Sequence, residues 1–262
     1  MSRTAISFIA FALTVFAPAA YPQPAHAQTA HEIVVNADKA RNPDKPFRIT
    51  ATLIDYKAGR PIGRNIYSVY SKLDPATGQF RDVMLYVYPP RDAGKLLLLN
   101  GPNLWIYDPA SRESVRISPQ QKLSGQASAG DVLSENLAVD YTPQLAGSET
   151  IEDAEHKTRT CWRLDLKAAG SAATYNHIDY WVEKGTYIPI KAKLYADSGA
   201  LLKILYYRNF LVRGGRAQPT QAVIVDAVDQ TLVTTVDFGE LHFQDLPDAW
   251  FTRDFLPHLK LK

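Results

Sequence analysis

Regular alternation of apolar and polar residues in the second half of the chain constrains the fold more than any other feature. Four segments show it. Their apolar positions are Trp162, Leu164 and Leu166; Ile178, Tyr180 and Val182; Ile190, Ala192 and Leu194; and Leu202, Ile204 and Tyr206. Because successive side chains of a strand point to opposite faces, each segment predicts a β-strand with one apolar face. Such strands are typical of an antiparallel sheet that is buried on one side.

Turn signals divide the first half of the chain into further strands. Three segments, Phe47–Leu53, Ile62–Leu73 and Phe80–Tyr88, are separated by the turns Lys57–Pro61 and Asp74–Gly78. Two more strands are predicted at Val223–Ala227 and Thr231–Phe243 near the end of the chain. Turns that recur every ~8 to 12 residues are typical of a sandwich or a barrel.

The stretch between Gly94 and Leu137 predicts a meander followed by a crossover. Its strands are Leu96–Leu99, Leu104–Tyr107 and Val115–Ile117. The small residues between Ser124 and Gly130 then break the strand pattern, so we expect one or two short helices within Leu123–Leu137. Leu104–Tyr107 is apolar on both faces, which predicts a core or ligand on one side and a covering helix on the other.

Taken together, these segments predict a mainly β chain of roughly ten or eleven antiparallel strands in one domain. Other helical segments are expected only at His31–Ala40 and around Pro247–Leu256. A sheet of this size curls, and it avoids exposed edges by closing or nearly closing.

The N-terminal sequence is typical of a secretory signal peptide. Arg3 supplies a positive region, Ala5–Ala17 is apolar, and Ala25-His26-Ala27 is a cleavage site of small residues. The apolar run is shorter than the ~20 residues of a membrane span. We therefore predict a signal peptide at 1–27, a mature domain at 28–262 and a periplasmic location.

Cysteine content and charge exclude several classes of function. Cys161 is the only cysteine. Since it lies far from the cleavage site, the sequence offers no cysteine for an N-terminal lipid, and its apolar neighbours predict a passive, partly buried thiol. Residues 28–262 carry 28 basic and 27 acidic side chains, a balance that gives no electrostatic case for nucleic acid.

Catalytic and cofactor motifs are missing from the sequence. Ser128 follows Gly125 by three residues, whereas a nucleophile elbow needs two. The six histidines include no i, i+4 pair of the kind that holds zinc on a helix, and no phosphate-binding glycine loop occurs. The sequence therefore predicts no enzyme, no metal site and no cofactor.

Aromatic residues are abundant on the faces expected to point inward. An apolar concave wall with few charges suits a lipid or an acyl chain, although every sandwich also needs an apolar inner face. We take as candidate cavity lining Trp105, Trp162, Leu164, Tyr180, Leu194, Ile204 and Tyr206. The same residues fit a hollow interior and a filled one.

Two motifs in the meander resemble a known family. Gly94-Lys95-Leu96-Leu97-Leu98-Leu99, and Asn103–Ala110 with Val115–Ser118, are similar to the LolA-like superfamily of outer membrane lipoprotein-sorting proteins. The segments Pro46–Tyr56, Pro89-Pro90 and Trp250–Leu256 extend the resemblance over nearly the whole mature chain. One departure is that Ser124–Asp131 lacks the methionine and phenylalanine that similar proteins often carry after the last meander strand.

The resemblance implies an unclosed barrel of about eleven antiparallel strands, lidded by short helices, that holds acyl chains in an apolar cavity. The expected function is that of a periplasmic carrier, a monomer that binds a lipid or lipoprotein acyl chain. Its expected transfer partners are an inner-membrane transporter or an outer-membrane acceptor. The alternative is a non-catalytic adaptor with a solid core that binds another envelope protein, and a cavity within the sheet discriminates between the two.

Overall fold

One large, curled antiparallel sheet forms the body of the protein. In the computed structural model, which describes residues 28–213 and 216–261, fourteen strands belong to it. They are β1 (Phe47–Lys57), β2 (Arg60–Leu73), β3 (Phe80–Tyr88), β4 (Leu96–Asn100), β5 (Asn103–Asp108), β6 (Glu113–Ile117), β9 (Tyr141–Glu152), β10 (Thr158–Ala168), β11 (His177–Glu183), β12 (Pro189–Tyr195), β13 (Leu201–Arg213), β14 (Arg216–Asp226), β15 (Leu232–Phe238) and β16 (His242–Phe243). The strands β7 (Lys122–Ser124) and β8 (Ala127–Ser128) form a separate hairpin.

Neighbours in sequence are nearly always neighbours in the sheet. The order is β6-β5-β4-β3-β2-β1-β15-β14-β13-β12-β11-β10-β9, with the short β16 beside β1. The one distant pairing in this path joins β1 to β15, with Leu53 opposite Val236. The edge strands β6 and β9 are not paired with each other in the described chain. The predicted class, a mainly β curled sheet that stays unclosed, is therefore confirmed.

The sheet has more strands than the eleven that were expected. The main omission is β9, where side chains are exposed or half-buried along almost the whole strand and no period of two is visible. As an edge strand it pairs only with β10 and buries little apolar surface. Its backbone bonds, rather than an apolar face, make it a strand.

The first helix, α1 (Ala30–Arg41), packs on the concave side of the sheet. Thr29 and Glu32 form a reciprocal capping box, in which each side chain accepts a bond from the other's backbone N–H. Ile33, Val34 and Ala37 are fully buried in the main core. The predicted helix at His31–Ala40 is thus confirmed, and it fills part of the space that the sheet encloses.

The remaining helices are short, and they lie at the predicted segments except for one, which begins at Leu137, the last residue of the predicted segment Leu123–Leu137. The crossover after the meander contains a 3-10 turn at Ala129–Asp131 and α2 (Leu137–Asp140). The chain ends in two 3-10 helices, Asp248–Phe251 and Arg253–His258. Within the described residues, each helix is too short or too polar to cross a bilayer. The predicted signal peptide, residues 1–27, lies outside the described residues.

Strand β5 has one face in each of two cores, as its apolar sequence predicted. Leu104 belongs to the main core on the concave side, where Ile106 also packs. Trp105 and Tyr107 pack on the outer side in a second cluster that includes Phe251 and Leu256 of the terminal 3-10 helices. The C-terminus therefore covers the outside of the meander and leaves the concave side to α1 and the crossover.

Candidate functional site

A cavity lies between the concave face of the sheet and the crossover, which we define as residues 122–140. Its volume is about 120 Å³. Apolar side chains of the sheet form one wall; they include Ile178, Tyr180, Ala192, Leu194, Leu205 and Ala222. Val132, Leu133 and Leu137 of the crossover form the other wall, and Arg41, Asp131 and Glu135 add charged groups. The arrangement is a mainly apolar pocket with a few polar groups, as small-molecule sites commonly are.

One side of the crossover is held to the sheet by a buried lysine. Lys203 on β13 donates to the Gln126 carbonyl at 2.8 Å, to Ser128 Oγ at 2.9 Å and to Asp131 Oδ2 at 2.7 Å. The hydroxyl of Tyr175 donates to the other oxygen of Asp131 at 2.6 Å. Because both charges are satisfied, the pair fixes the position of the crossover without leaving a lone buried charge.

The β7–β8 turn is hydrogen-bonded to a second polar group, the carboxylate of Asp55 on β1. This carboxylate accepts bonds from Ser124 Oγ at 2.5 Å and Thr234 Oγ1 at 2.8 Å, and Gln126 N donates to Thr234 Oγ1 at 2.8 Å. Gly125 has a φ of +49°, and a Cβ atom there would lie 1.9 Å from Asp55 Oδ1. Glycine is therefore required both by the backbone conformation and by the close approach to the sheet.

The other side of the crossover is bonded to the end of α1. Arg41 Nη2 donates to Asp38 Oδ1 and to the Glu135 carbonyl, both at 2.8 Å. Asn42 Nδ2 reaches the same carbonyl at 2.9 Å, and Ala138 N donates to Asp38 Oδ2 at 2.8 Å. The last turn of α1 and the crossover thus close the cavity together.

Strand β3 and Gln79, the residue before it, supply a third set of contacts to the crossover. The Ser134 backbone N–H donates to Asp82 Oδ2 at 2.7 Å, and that of Asn136 donates to the Gln79 side chain at 2.8 Å. Burial raises the pKa of Asp82 to about 7, against the opposing effect of the bond from Ser134. Asp82 therefore changes charge near neutral pH at a point where the crossover is attached.

Further carboxyl groups beside the cavity are also shifted toward the protonated form. Burial raises the pKa of Glu135 well above its ordinary value, and the neighbouring Asp140 adds to this effect. Burial likewise raises the pKa of Asp38, although Arg41 opposes the shift. Of these carboxyl groups, Asp82 and Asp38 accept bonds from backbone N–H groups of the crossover, so burial raises the pKa of groups that attach the segment covering the cavity.

Two of the predicted lining residues, Tyr180 and Leu194, line the cavity. Leu164 is fully buried in the main core on the same side of the sheet, but it is not part of the cavity wall. Trp162 packs against that core and stacks on Tyr187, with ring centroids 5.4 Å apart. The structure therefore brings only part of the predicted set together.

The structure places the other three predicted residues away from the cavity. Trp105 packs on the outer side of the meander, where the Arg253 guanidinium lies 4.7 Å from its ring centroid. Ile204 and Tyr206 are half-buried, whereas Leu205 and Tyr207 are the β13 residues that line the cavity. The face of β13 was misassigned because the buried Lys203, which the pattern placed outside, points inward to Asp131.

Sequence patterns also missed the polar residues that hold the crossover. Lys203, Asp131 and Arg41 carry no motif, and each resembles an ordinary surface charge in the printed sequence. They are distinguished only by their partners, which are distant in the sequence. Lys203 and Asp131 are 72 residues apart, and Arg41 and Glu135 are 94 residues apart. In the described residues, no group of three or more His, Cys, Asp or Glu side chains is arranged to hold a metal ion.

Comparisons with known proteins agree with this architecture. A family model described as "Uncharacterized protein" matches residues 78–258. The crystal structure of a LolA superfamily protein from Nitrosomonas europaea is 30% identical, with a TM-score of 0.78 over 87% of this chain and 100% of that chain. The chain belongs to the LolA superfamily. No match was found among curated proteins.

Two more distant structures share the LolA-like fold. A DUF1329 family protein from Desulfovibrio piger is 20% identical, with a TM-score of 0.72 over 87% of this chain and 97% of that one. A domain classed with the outer membrane lipoprotein-sorting proteins, from Vibrio parahaemolyticus, is 18% identical, with a TM-score of 0.68 over 87% and 98% of the two chains. The resemblance seen in the sequence is confirmed, and a LolA-like fold broadly supports a carrier-type role.

Proposed function

We propose that the protein is a periplasmic carrier that binds a lipid or lipoprotein acyl chain non-covalently and passes it on within the cell envelope. The observation that carries the proposal is the cavity between the sheet and the crossover, whose walls are mainly aliphatic and aromatic. Burial of an acyl chain contributes about 0.8 kcal/mol per methylene. An apolar wall of this kind therefore supplies the main part of the binding free energy, and no covalent step is needed.

The size of the cavity indicates that binding involves movement of the crossover. A cavity of about 150 Å³ accommodates a molecule such as benzene, and the cavity here measures about 120 Å³. It therefore holds only a short part of an acyl chain while the crossover stays in place. A longer chain requires the crossover to separate from the sheet, and the polar bonds at Asp131, Ser134 and Glu135 are those that would break.

Filling the cavity tests the proposal directly. Ala222 is buried in the cavity wall, and the half-buried Val223 follows it on the opposite face of β14. Ala222→Phe adds a ring to the cavity, whereas Val223→Phe adds one outside it. Lipid extracted from the purified proteins and analysed by mass spectrometry should be at least fivefold lower for Ala222→Phe and unchanged for Val223→Phe. Equal lipid content in all three proteins, including none in the wild type, would contradict the carrier function.

An adaptor with a solid core is the second candidate. It is supported by α1, which fills part of the interior with Ile33, Val34 and Ala37. An adaptor would show no bound lipid, and its binding to an envelope partner would not respond to Ala222→Phe. Under either function the expected partners are an inner-membrane transporter or an outer-membrane acceptor, the protein is expected to act as a monomer, and no catalysis is proposed.

A further inference from the structure

The hairpin of β13 and β14 extends beyond the sheet. Pairing of β12 with β13 reaches only Tyr206, and pairing of β15 with β14 begins at Gln221. Past these positions the described residues of the two strands pair with each other alone, as with Leu211 and Gln218 or Val212 and Ala217. We call the ribbon formed by residues 207–213 and 216–220 the arm.

The arm has a packed base and an apolar end. Phe210 packs against a small core that contains Trp181 and Ile188, and the Arg159 guanidinium lies 5.9 Å from its ring centroid. Leu211 and Val212, the next two residues, are 55% and 76% exposed. An adjacent pair of large aliphatic side chains is thus presented to solvent on a base held by side-chain packing.

The end of the arm lies beside the cavity. Leu211 is the cross-strand partner of Gln218, which is buried and lines the cavity together with Pro219. Directly paired residues occupy the same face of a sheet. Leu211 therefore stands at the rim of the site proposed to take the acyl chain, and Val212 projects from the opposite face of the ribbon, the face of its partner Ala217.

The charge of the arm's own sequence favours an anionic surface, and the acidic side chains near its base, Asp153 and Glu183, are paired with Arg159. From Arg208 to Val225 the sequence contains three arginines and no aspartate or glutamate. Two aliphatic side chains are too few for the 1,200 Å² or so of a stable protein–protein interface. Shallow insertion between lipid headgroups needs only a few such side chains when basic residues lie beside them.

We propose that the arm docks the protein on anionic phospholipid membranes, with Leu211 and Val212 inserted among the headgroups. The purpose of this contact rests on the proposed carrier function, because docking brings the rim of the cavity to the bilayer from which an acyl chain would enter. The contact itself needs no cargo and is measured separately.

Vesicle flotation tests the contact. The probes are vesicles of phosphatidylethanolamine and phosphatidylglycerol at 7:3, and vesicles of phosphatidylcholine alone. The double variant Leu211→Asp/Val212→Asp changes the arm, and Ile62→Asp/Val228→Asp is its matched control. Ile62 and Val228 are 64% and 93% exposed, and their turns lie at the opposite end of the sheet, where Lys57 pairs with Leu232.

We expect the wild type to float with the anionic vesicles, to bind the neutral ones at least fivefold less, and to release the anionic ones in 0.5 M NaCl. The arm variant should bind anionic vesicles at least tenfold less than the wild type, and the control variant within twofold of it. Failure of the wild type to float, or equal losses in the two variants, would overturn the proposal and leave a protein partner as the occupant of the arm.

Two further measurements keep this result separate from the carrier function. The melting temperature of each variant shows that a loss of binding is not a loss of folding. Loading of lipid from detergent micelles should be the same for the arm variant and the wild type, while Ala222→Phe should lose loading and keep vesicle binding. If the wild type binds vesicles but no protein takes up lipid from micelles, the docking proposal is supported and the carrier function is contradicted.

Discussion

Removal of the buried positive charge of Lys203 should destabilise the attachment of the crossover. Its ammonium group is the donor of three hydrogen bonds, to Gln126, Ser128 and Asp131, at 2.7 to 2.9 Å. The side chains of Lys203 and Asp131 are only 7% and 2% exposed. Lys203→Met keeps most of the aliphatic stem but leaves the carboxylate of Asp131 without its counter-ion.

The size of the effect follows from this burial. Loss of one partner of a buried ion pair typically costs about 3–5 kcal/mol. Asp131 retains bonds from the Tyr175 hydroxyl at 2.6 Å and the Ser128 N–H at 2.8 Å, which offset part of the loss. We therefore expect Lys203→Met to lower the free energy of unfolding by about 3 kcal/mol at pH 7, the low end of that range.

Urea denaturation followed by tryptophan fluorescence measures this loss, and a double-mutant cycle with Asp131→Asn isolates the pair. The double variant should be more stable than the sum of the single losses predicts, since it leaves no buried charge unpaired. Hydrogen exchange of residues 122–140 should be faster in Lys203→Met, which reports local opening of the crossover.

A matched control is Lys72→Met. Lys72 also donates to a carboxylate, that of Asp248, at 2.9 Å, but the side chain of Asp248 is 70% exposed. Because solvent screens this pair, the change in the free energy of unfolding should be much smaller. If Lys203→Met is no more destabilising than Lys72→Met, or if the losses in the cycle simply add, the buried pair does not hold the crossover.

Three further outcomes are expected. Burial raises the pKa of Asp82 to about 7, so the folded state binds a proton more tightly than the unfolded chain. The contribution of Asp82 to stability is therefore present below pH 4 and lost as the pH rises to 7. Asp82→Asn should flatten this part of the stability–pH curve, and an unchanged curve would refute the assignment. Gly125→Ala should destabilise the β7–β8 turn, seen as faster hydrogen exchange there, because its Cβ would collide with Asp55. Cys161, whose pKa burial raises to about 12, should react with a thiol reagent only after unfolding; rapid reaction of the native protein would contradict this.

The sequence by itself determined most of the strands and the overall class. Alternation at Trp162–Leu166 and Ile178–Val182 places strands where the structure has β10 and β11, because a half-buried strand must repeat every two residues. The helix predicted at His31–Ala40 corresponds to α1, and the two-faced segment Leu104–Tyr107 predicts a strand covered on both sides. Each of these features is decided within a few neighbouring residues.

The cavity and its cover were decided only by the tertiary structure. A period of two shows that β13 has two different faces, but the inward position of Lys203 depends on Asp131, which lies 72 residues away. Leu205 and Tyr207 share the face of Lys203, so they line the cavity and Ile204 and Tyr206 do not. Strand β9 lacks an apolar face and is a strand through its bonds to β10. Local patterns record the burial of side chains, whereas paired charges and edge strands depend on contacts between distant parts of the chain.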